Sequence, residues 1–368
     1  MNKVLLGDVA EEVRENYKEM DGNPAVVGLE HLIPGEIRLK EWSEDTNTTF
    51  TKAFHKGQVL FGRRRAYLKK AAVAPVDGIC SGDITVISAK QDKILPELLP
   101  FVIQNDDFFD FAVGKSAGSL SPRVKWSRLK EYEFNLPSLS QQRKLAKLLW
   151  SFVDAKEAYE DLIRQTDELV KSQFIEMFGD PVTNNHGWPT IPLKEVAPEY
   201  SPKLPEADSY WWLNLDMIET YSGRLMEKVI ATPEEIGNST STFDATMVLY
   251  SKLRPYLNKV FVPDDCGYAT TELVGLRPNS KILNKYFLFN LLRGDQFVAY
   301  ANGLSSGGQM PRIPMKALRD FKCILPPMEL QEQFVEMSHQ SDKSKFELNE
   351  AIKDLDAMYK RIIKDNLG

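Results

Sequence analysis

Leu60-Phe61-Gly62-Arg63-Arg64-Arg65-Ala66-Tyr67-Leu68-Lys69-Lys70 returns 189 residues later as Leu249-Tyr250-Ser251-Lys252-Leu253-Arg254-Pro255-Tyr256-Leu257-Asn258-Lys259. The same offset relates Phe54 to Phe243, Gly118 to Gly307, Arg123 to Arg312, and Leu136-Pro137 to Leu325-Pro326. A single chance match is conceivable, but one offset that relates separate blocks over such a length is not. The second half of the chain is therefore a diverged copy of the first.

Each copy is predicted to be a mixed α/β region followed by one long helix. Strand-like runs at Val26–Leu29, Gln58–Phe61 and Ile84–Ser88 are separated by glycine and proline turns. Short helices are expected at Pro96–Asn105 and at Asn284–Leu292. The segments 139–180 and 328–368, which come shortly after the two Leu-Pro pairs, contain no proline. The predicted division is a first domain at 1–138, a helix at 139–180, a second domain at 181–327 and a helix at 328–368.

Both long segments carry apolar residues at alternating spacings of three and four, which is the pattern of a coiled-coil seam. The predicted seam positions are Leu145, Leu148, Phe152, Tyr159, Leu162 and Leu169 in the first helix and Leu348, Ile352, Leu355, Tyr359 and Ile362 in the second. Two such seams in one chain can bury each other. The fold class is therefore predicted as α+β, with two duplicated mixed α/β domains joined by two long coiled-coil helices.

Composition excludes several classes of protein. The chain has 368 residues, 43% of them apolar, which is enough for two cores. No apolar run is long enough to span a membrane, and the three scattered cysteines argue against a disulfide framework. A cytoplasmic location is expected. The net charge of −6 at first argues against a nucleic-acid partner. The acidic surplus lies mostly in the predicted helices, however, so a near-neutral domain could still bind DNA through one basic face.

The repeated block mixes basic and aromatic side chains, which is typical of a surface that contacts nucleic acid. Its candidate DNA-binding residues are Arg63, Arg64, Arg65, Tyr67, Lys69 and Lys70 in the first copy and Lys252, Arg254, Tyr256 and Lys259 in the second. On a strand, Arg63 and Arg65 would share one face and Arg64 would lie on the other. One face could then reach phosphates or base edges. The alternative interpretation is a solvated run of charge on a hairpin.

A small polar loop at 114–123 has its counterpart at 303–312. Glycine permits close approach of the backbone, and Ser, Gln and Arg supply donors suited to phosphates and bases. The candidates here are Ser116, Ser119, Arg123, Ser305, Ser306, Gln309 and Arg312. The alternative is a mobile surface turn. No phosphate-binding loop, nucleotide fingerprint, metal spacing or catalytic triad is recognisable, so nothing in the sequence predicts catalysis.

The order of parts resembles the specificity (S) subunit of type I restriction–modification systems over essentially the whole chain. The resemblance rests on Val27-Gly28-Leu29-Glu30-His31-Leu32, on Gly57-Gln58-Val59-Leu60-Phe61, and on the blocks at 60–70 and 249–259. It also rests on the segments Leu136-Pro137-Ser138-Leu139-Ser140-Gln141-Gln142-Arg143 and Leu325-Pro326-Pro327-Met328-Glu329-Leu330-Gln331. The first block has Gly-Arg-Arg-Arg-Ala at 62–66. It differs there from the Ser-Lys-x-Arg-Pro-Tyr-Leu form that is commoner in this family.

This resemblance implies a non-catalytic subunit that binds double-stranded DNA. Each domain would read one half of a bipartite target, and the two helices, packed antiparallel, would set the spacer between the halves. The helices would also dock two methylation subunits, and two restriction subunits would complete the complex. The chain would need no cofactor or metal of its own. S-adenosylmethionine, ATP and Mg would act on the partner subunits.

Two other functions stay open at this point. The chain could serve a modification-only system that has no nuclease partner. It could instead be a protein–protein scaffold, which the acidic total favours slightly. The target sequence itself cannot be read from the residues, because base contacts depend on how the protein docks.

Overall fold

The computed structural model describes residues 2–17 and 24–368, and the chain divides into two compact units. Unit 1 comprises Met1–Leu162 and Glu347–Gly368, and unit 2 comprises Ile163–Phe346. Each unit therefore holds one mixed α/β region together with part of both long helices. Whether 1–138 and 181–327 act as separate recognition domains remains a prediction.

In its described residues, unit 1 consists of short strands and four short helices that precede a long helix along the chain. The strands are β1 (Asn2–Leu5), β2 (Ala10–Val13), β3 (Ala25–Val27), β4 (Lys52–Phe54), β5 (Val59–Gly62), β6 (Ala71–Val73), β7 (Gly78–Cys80), β8 (Ile84–Ala89) and β9 (Glu133–Leu136). The helices are α1 (Leu6–Val9), α2 (Leu99–Ile103), α3 (Asp106–Gly114), α4 (Trp126–Leu129) and the start of α5 (Leu139–Phe178). A 3-10 helical turn lies at Ala66–Leu68.

Among the described residues, the strands of unit 1 form three sheets, in the orders β2-β8-β5-β6, β3-β7-β4 and β1-β9. All pairs are antiparallel except β3 with β7, which run parallel. One core joins the first sheet to α2, α3 and the long helices through fully buried rings such as Phe61, Phe101 and Phe108. A second core surrounds Phe54 between the first two sheets.

Unit 2 repeats this plan. Its strands are β10 (Thr190–Pro192), β11 (Tyr210–Leu213), β12 (Val229–Ala231), β13 (Thr240–Phe243), β14 (Val248–Ser251), β15 (Val260–Phe261), β16 (Gly267–Thr270), β17 (Leu273–Leu276) and β18 (Lys322–Ile324). Its helices are α6 (Leu193–Val196), α7 (Pro233–Ile236), α8 (Lys285–Arg293), α9 (Asp295–Leu304), α10 (Met315–Asp320) and the start of α11 (Met328–Leu367). Two further 3-10 turns lie at Leu215–Met217 and Pro255–Leu257.

The sheets of unit 2 have the orders β12-β11-β16-β13, β15-β14-β17 and β10-β18. The parallel pair of unit 1 recurs as β11 with β16. Gly78 and Gly267 occupy equivalent places in the parallel pairs. A Cβ atom would lie 2.2 Å from the Ala25 carbonyl oxygen in the first and 2.4 Å from the Trp211 carbonyl oxygen in the second. Only glycine permits this approach of the neighbouring strand.

The two long helices pack antiparallel in each unit. In unit 1, Lys156 Nζ lies 3.1 Å from Asp356 Oδ1, while Leu149, earlier in α5, shares a core with Ile363, later in α11. In unit 2, Lys345 Nζ lies 2.6 Å from Asp167 Oδ1. The rings of Phe174 and Phe334 lie 5.3 Å apart there. The predicted fold class, two duplicated α/β domains with long paired helices, is confirmed.

The predicted seam of α5 is wrong at three positions. Leu148, Leu162 and Leu169 are 45%, 46% and 55% exposed, and in each case the next residue, Leu149, Ile163 or Val170, is the more buried one. A straight α-helix repeats every 3.6 residues rather than 3.5, so a strict heptad reading drifts off the buried stripe. The other predicted positions, Leu145, Phe152, Tyr159, Leu348, Ile352, Leu355, Tyr359 and Ile362, are buried or half-buried.

Candidate nucleic-acid interface

The repeated basic block leaves its sheet before the arginines begin. Strand β5 ends at Gly62, and the 3-10 turn that follows is flanked by Arg65 (φ 54°) and Lys69 (φ 51°), both left-handed. In unit 2, Arg254 (φ 49°) and Asn258 (φ 47°) flank the equivalent turn. The expected alternation of Arg63 and Arg65 against Arg64 along a strand is therefore wrong. The left-handed conformation costs roughly 1–2 kcal/mol for a residue with a side chain, so tertiary contacts must hold both turns in place.

Those contacts come from the polar loop, which the sequence presented as a separate feature. The Arg65 amide donates to the Pro122 carbonyl oxygen at 2.8 Å, and the Val124 amide donates to the Arg63 carbonyl oxygen at 3.0 Å. In unit 2 the Arg254 amide donates to Pro311 at 2.7 Å. We call this combination the turn–loop platform. It comprises 63–70 with 114–123 in unit 1, and 252–259 with 303–312 in unit 2.

An acidic residue lies at the centre of each platform. Arg123 donates from Nε and Nη2 to the two carboxylate oxygens of Asp83, at 2.7 and 3.0 Å. This pairing holds the pKa of Asp83 below its usual range, with smaller contributions from Arg63 and Arg64. Arg64 Nη1 lies 3.7 Å from the same carboxylate.

Unit 2 contains the equivalent pair. Arg312 Nη2 lies 2.7 Å from Glu272 Oε1. Asp83 and Glu272 are also related by the 189-residue offset, but neither was among the candidate site residues. Arg123 and Arg312 each bind a carboxylate within the protein. Their first role is therefore to stabilise the platform, because charge-assisted hydrogen bonds of this kind are strong.

Three of the candidate lysines make contacts within the protein. Lys70 Nζ donates to the Leu29 carbonyl oxygen at 2.7 Å, and Lys259 Nζ donates to the Leu215 carbonyl oxygen at 2.6 Å. Burial lowers the pKa of Lys259. Lys69 Nζ pairs with Asp106 Oδ1 at 2.6 Å. These ammonium groups tie the platform to neighbouring segments, which is a structural role in both copies.

Two of the candidate serines cap helices. Ser116 Oγ donates to the Ala112 carbonyl oxygen at 2.8 Å near the end of α3, and Ser305 Oγ donates to Ala301 at 2.7 Å near the end of α9. These hydroxyl groups satisfy carbonyls that the helix leaves unpaired at its C-terminus. Ser119, Ser306 and Gln309 are exposed on the loops.

The outer surface of the unit 1 platform combines an exposed cation with an apolar tip, whereas Lys252 and Arg254 in unit 2 are half-buried. Arg65 is exposed in unit 1, and Tyr67 and Tyr256 are 54% and 43% exposed. The loop tips carry Leu120, which is 90% exposed, and Met310, which is 45% exposed. Gly118 (φ 112°) and Gly307 (φ 120°) make the tight turns, which side chains would disfavour. Exposed guanidinium, hydroxyl and aromatic groups on one surface are suited to contacts with phosphates and bases.

A second pair of residues that sequence reasoning quoted but gave no role is Gln142 and Gln331, one turn into α5 and α11. Gln142 is 1% exposed; its Oε1 accepts from the Leu95 amide at 2.9 Å, and its Nε2 donates to the Pro137 oxygen at 3.0 Å. Gln331 is fully buried; it accepts from the Asn284 amide at 2.9 Å and donates to Pro326 at 2.8 Å. The sequence could have identified this pair, because the two glutamines are separated by the same 189-residue offset as the rest of the repeat.

Within residues 2–17 and 24–368, no three His, Cys, Asp or Glu side chains are grouped so that they could hold a metal ion. In the same described ranges, no helix has the length and apolar character needed to cross a bilayer.

Comparison with known proteins identifies the fold family. Residues 6–165 and 238–355 match the type I restriction modification DNA specificity domain. A stretch of 145 residues, 37% of this chain, is 28% identical to the type I restriction enzyme EcoDI specificity subunit of Escherichia coli. That stretch spans 31%, about a third, of the length of this curated relative.

Two solved structures are similar over nearly the whole chain. One comes from work on complex assembly and conformational transition of the type I R-M system, with a TM-score of 0.59, 20% identity and coverage of 99% of this chain and 97% of that one. The other is the type I restriction-modification system S subunit from M. genitalium, with a TM-score of 0.59, 12% identity and coverage of 100% and 96%. These identities support the fold alone. Because the matched domain covers most of the chain, including both turn–loop platforms, the chain belongs to the family of type I restriction–modification DNA specificity proteins.

Proposed function

We propose that this chain is the DNA-reading subunit of a type I restriction–modification complex, in which each unit reads one half of a bipartite target. The observation that carries the proposal is the recurrence of the turn–loop platform. Both copies combine an arginine–carboxylate pair with a left-handed turn, and both carry exposed side chains. A duplicated reading surface matches a target that consists of two separate halves.

The charge distribution fits this proposal. Asp83 neutralises one of the three arginines that surround it, so the platform of unit 1 keeps a positive surplus. In unit 2, Glu272 offsets Arg312, while Lys252 and Arg254 remain. Local positive charge of this kind supplies phosphate contacts even where the whole chain carries a net negative charge.

The long helices are proposed to set the distance between the two half-sites and to dock two methylation subunits. Helices α5 and α11 have 40 residues each, and at 1.5 Å per residue each is about 60 Å long. Leu148 and Leu169 are 45% and 55% exposed on α5, and exposed apolar side chains on a helix are suited to contact a helical partner.

Catalysis is assigned to other subunits. Specificity subunits of this family are non-catalytic and carry no cofactor of their own. In our proposal, adenine methylation with S-adenosylmethionine belongs to the methylation subunits. ATP-driven translocation and Mg-dependent cleavage belong to two restriction subunits.

A domain exchange tests the proposal. Residues 1–138 are replaced by the same region of a relative with a different target, and the complex with its methylation subunits is expressed for methylome sequencing. One half of the methylated sequence should change while the other half and the spacer stay the same. The reciprocal exchange of 181–327 is the matched control and should change the other half. A change in both halves, or no methylation that depends on this chain, would contradict the proposal.

A further inference from the structure

We propose that Leu120 is an apolar wedge that inserts between neighbouring base pairs of the half-site read by unit 1. This inference rests on the proposed function and adds to it a distortion of the DNA. A single exposed leucine is ordinary on a protein surface. Leu120 is distinguished by being 90% exposed at the tip of a loop that is fixed beside a cluster of arginines.

Backbone hydrogen bonds hold the base of the loop that carries Leu120. Ala117 and Arg123 exchange amide-to-carbonyl hydrogen bonds of 3.0 and 2.9 Å, which close a five-residue loop around the leucine. The Arg65 amide bonds to the Pro122 carbonyl oxygen, two residues beyond the tip. Tight backbone contacts therefore hold the base of the loop, while the side chain itself contacts solvent.

The electrostatic surroundings identify the occupant as duplex DNA rather than an apolar protein surface. Arg64 Nη2 donates to Ser121 Oγ at 3.2 Å, so a guanidinium lies beside the residue next to Leu120. Arg65 and Ser119 are exposed nearby in the platform. Cationic and hydroxyl groups around an apolar tip suit phosphates on both sides of a base step. Leucine is one of the side chains that proteins insert between base pairs to unstack and kink DNA.

The equivalent position in unit 2 is Gln309, and its side chain carries an amide instead of an apolar group. Arg254 Nη2 donates to the Gln309 carbonyl oxygen at 3.3 Å, so a guanidinium also supports this tip. Glutamine can bond to the edge of a base but is a poor wedge. The wedge at this position is therefore proposed for the first half-site alone; Met310, one residue further along the unit 2 loop, is half as exposed as Leu120.

The test uses the complex with its methylation subunits, together with DNA duplexes that contain the sequence this complex methylates. 2-Aminopurine replaces one base at a time across both half-sites, since its fluorescence rises when stacking is lost. The wild-type complex should brighten the probe at one step of the first half-site away from the adenine to be methylated, because the methylation subunit unstacks that adenine itself. Leu120→Ala should abolish that rise and weaken binding about tenfold, as expected for loss of one buried leucine side chain. Leu120→Phe should restore the signal.

Leu5→Ala is the matched control, because it removes an exposed leucine from β1 and should leave the signal unchanged. The wedge is overturned if the Leu120→Ala complex brightens the same probe as strongly as wild type. It is also overturned if the wild-type complex binds its target and no base in the first half-site brightens apart from the adenine to be methylated. Failure of the wild-type complex to bind its methylated sequence at all would instead refute the proposed function, and the wedge with it.

Discussion

Arg123 holds Asp83 through two short hydrogen bonds, from Nε at 2.7 Å and from Nη2 at 3.0 Å. This pair joins the polar loop to the end of the first sheet, so it supports the whole platform of unit 1. The stabilisation that the Arg123–Asp83 pair contributes also depends on pH. The pKa of Asp83 is lowered in the folded state, so the stabilisation is present above the unfolded value near 4. It is lost as the pH falls through the folded value.

Asp83→Asn should therefore destabilise unit 1 by about 1–2 kcal/mol at pH 7, and this difference from wild type should shrink as the pH approaches 3. Urea unfolding at a series of pH values measures it. Asp92→Asn is the matched control, because Asp92 is 75% exposed and lies 3.7 Å from its neighbour Lys93. A deficit that persists unchanged at pH 3 would mean that the carboxylate charge is not what stabilises the platform.

Gln142→Leu should cost about 2 kcal/mol or more, because it leaves the half-buried Leu95 amide and the buried Pro137 oxygen without partners. Gln331→Leu should behave alike in unit 2, where the Asn284 amide loses its acceptor. Denaturant unfolding, followed by intrinsic tryptophan fluorescence, gives the free energy of unfolding of each variant. Gln165→Leu provides the comparison, since Gln165 is exposed on α5; an equal loss there would indicate a general effect of leucine on the helix.

Replacement of Lys252 and Arg254 by Ala should lower the affinity of the assembled complex for its target. If each contacts one phosphate, the slope of log K against log salt should fall by about two. Titrations at several salt concentrations provide both quantities.

Lys259→Ala is the informative control for this titration, since Lys259 Nζ already bonds to the Leu215 carbonyl oxygen. It should reduce stability and leave the salt slope as it was. Unchanged affinity and slope in the double variant would remove this block from the DNA interface.

Lengthening the helices should lengthen the preferred spacer. Seven residues inserted between Glu160 and Asp161, and seven between Ala351 and Ile352, add one heptad at matching heights, as judged from the Lys156–Asp356 pair. The added length is about 10 Å at 1.5 Å per residue, which corresponds to about three base pairs. Methylation of targets with spacers lengthened one base pair at a time measures the preference.

Rotation should reduce the activity of this insertion variant. A heptad adds a drift of about 20°, whereas three base pairs turn the duplex by roughly 105°. Insertion into α5 alone is the control, because it breaks the pairing with α11. If the folded double insertion kept the parental spacer preference at full activity, the helices would not set the distance.

Both long helices were predictable because their evidence is local. Freedom from proline and a three-four spacing of apolar residues are read directly along the chain, and α5 and α11 begin at Leu139 and Met328. The buried face of α5 was less accessible. Leu148 and Leu149 both suit an apolar stripe, and only packing against a partner helix decides which one is buried.

The candidate site was likewise predictable from the sequence in part only. The offset of 189 residues marked Arg123, Arg312 and both basic blocks. It could not reveal that Lys70 and Lys259 are directed to the carbonyl oxygens of Leu29 and Leu215, because side chains with the same charge can face solvent or the protein.

The sequence by itself determined the duplication, the α+β class and the two long helices, since repeats and periodicity are properties of residue order. Only the tertiary structure decided that the basic turn and the polar loop form one platform. Arg65 and Pro122 are far apart along the chain, and their hydrogen bond exists only because the sheet and α3 bring the two segments together. Contacts of that kind depend on the packing of the whole unit, which no local pattern encodes.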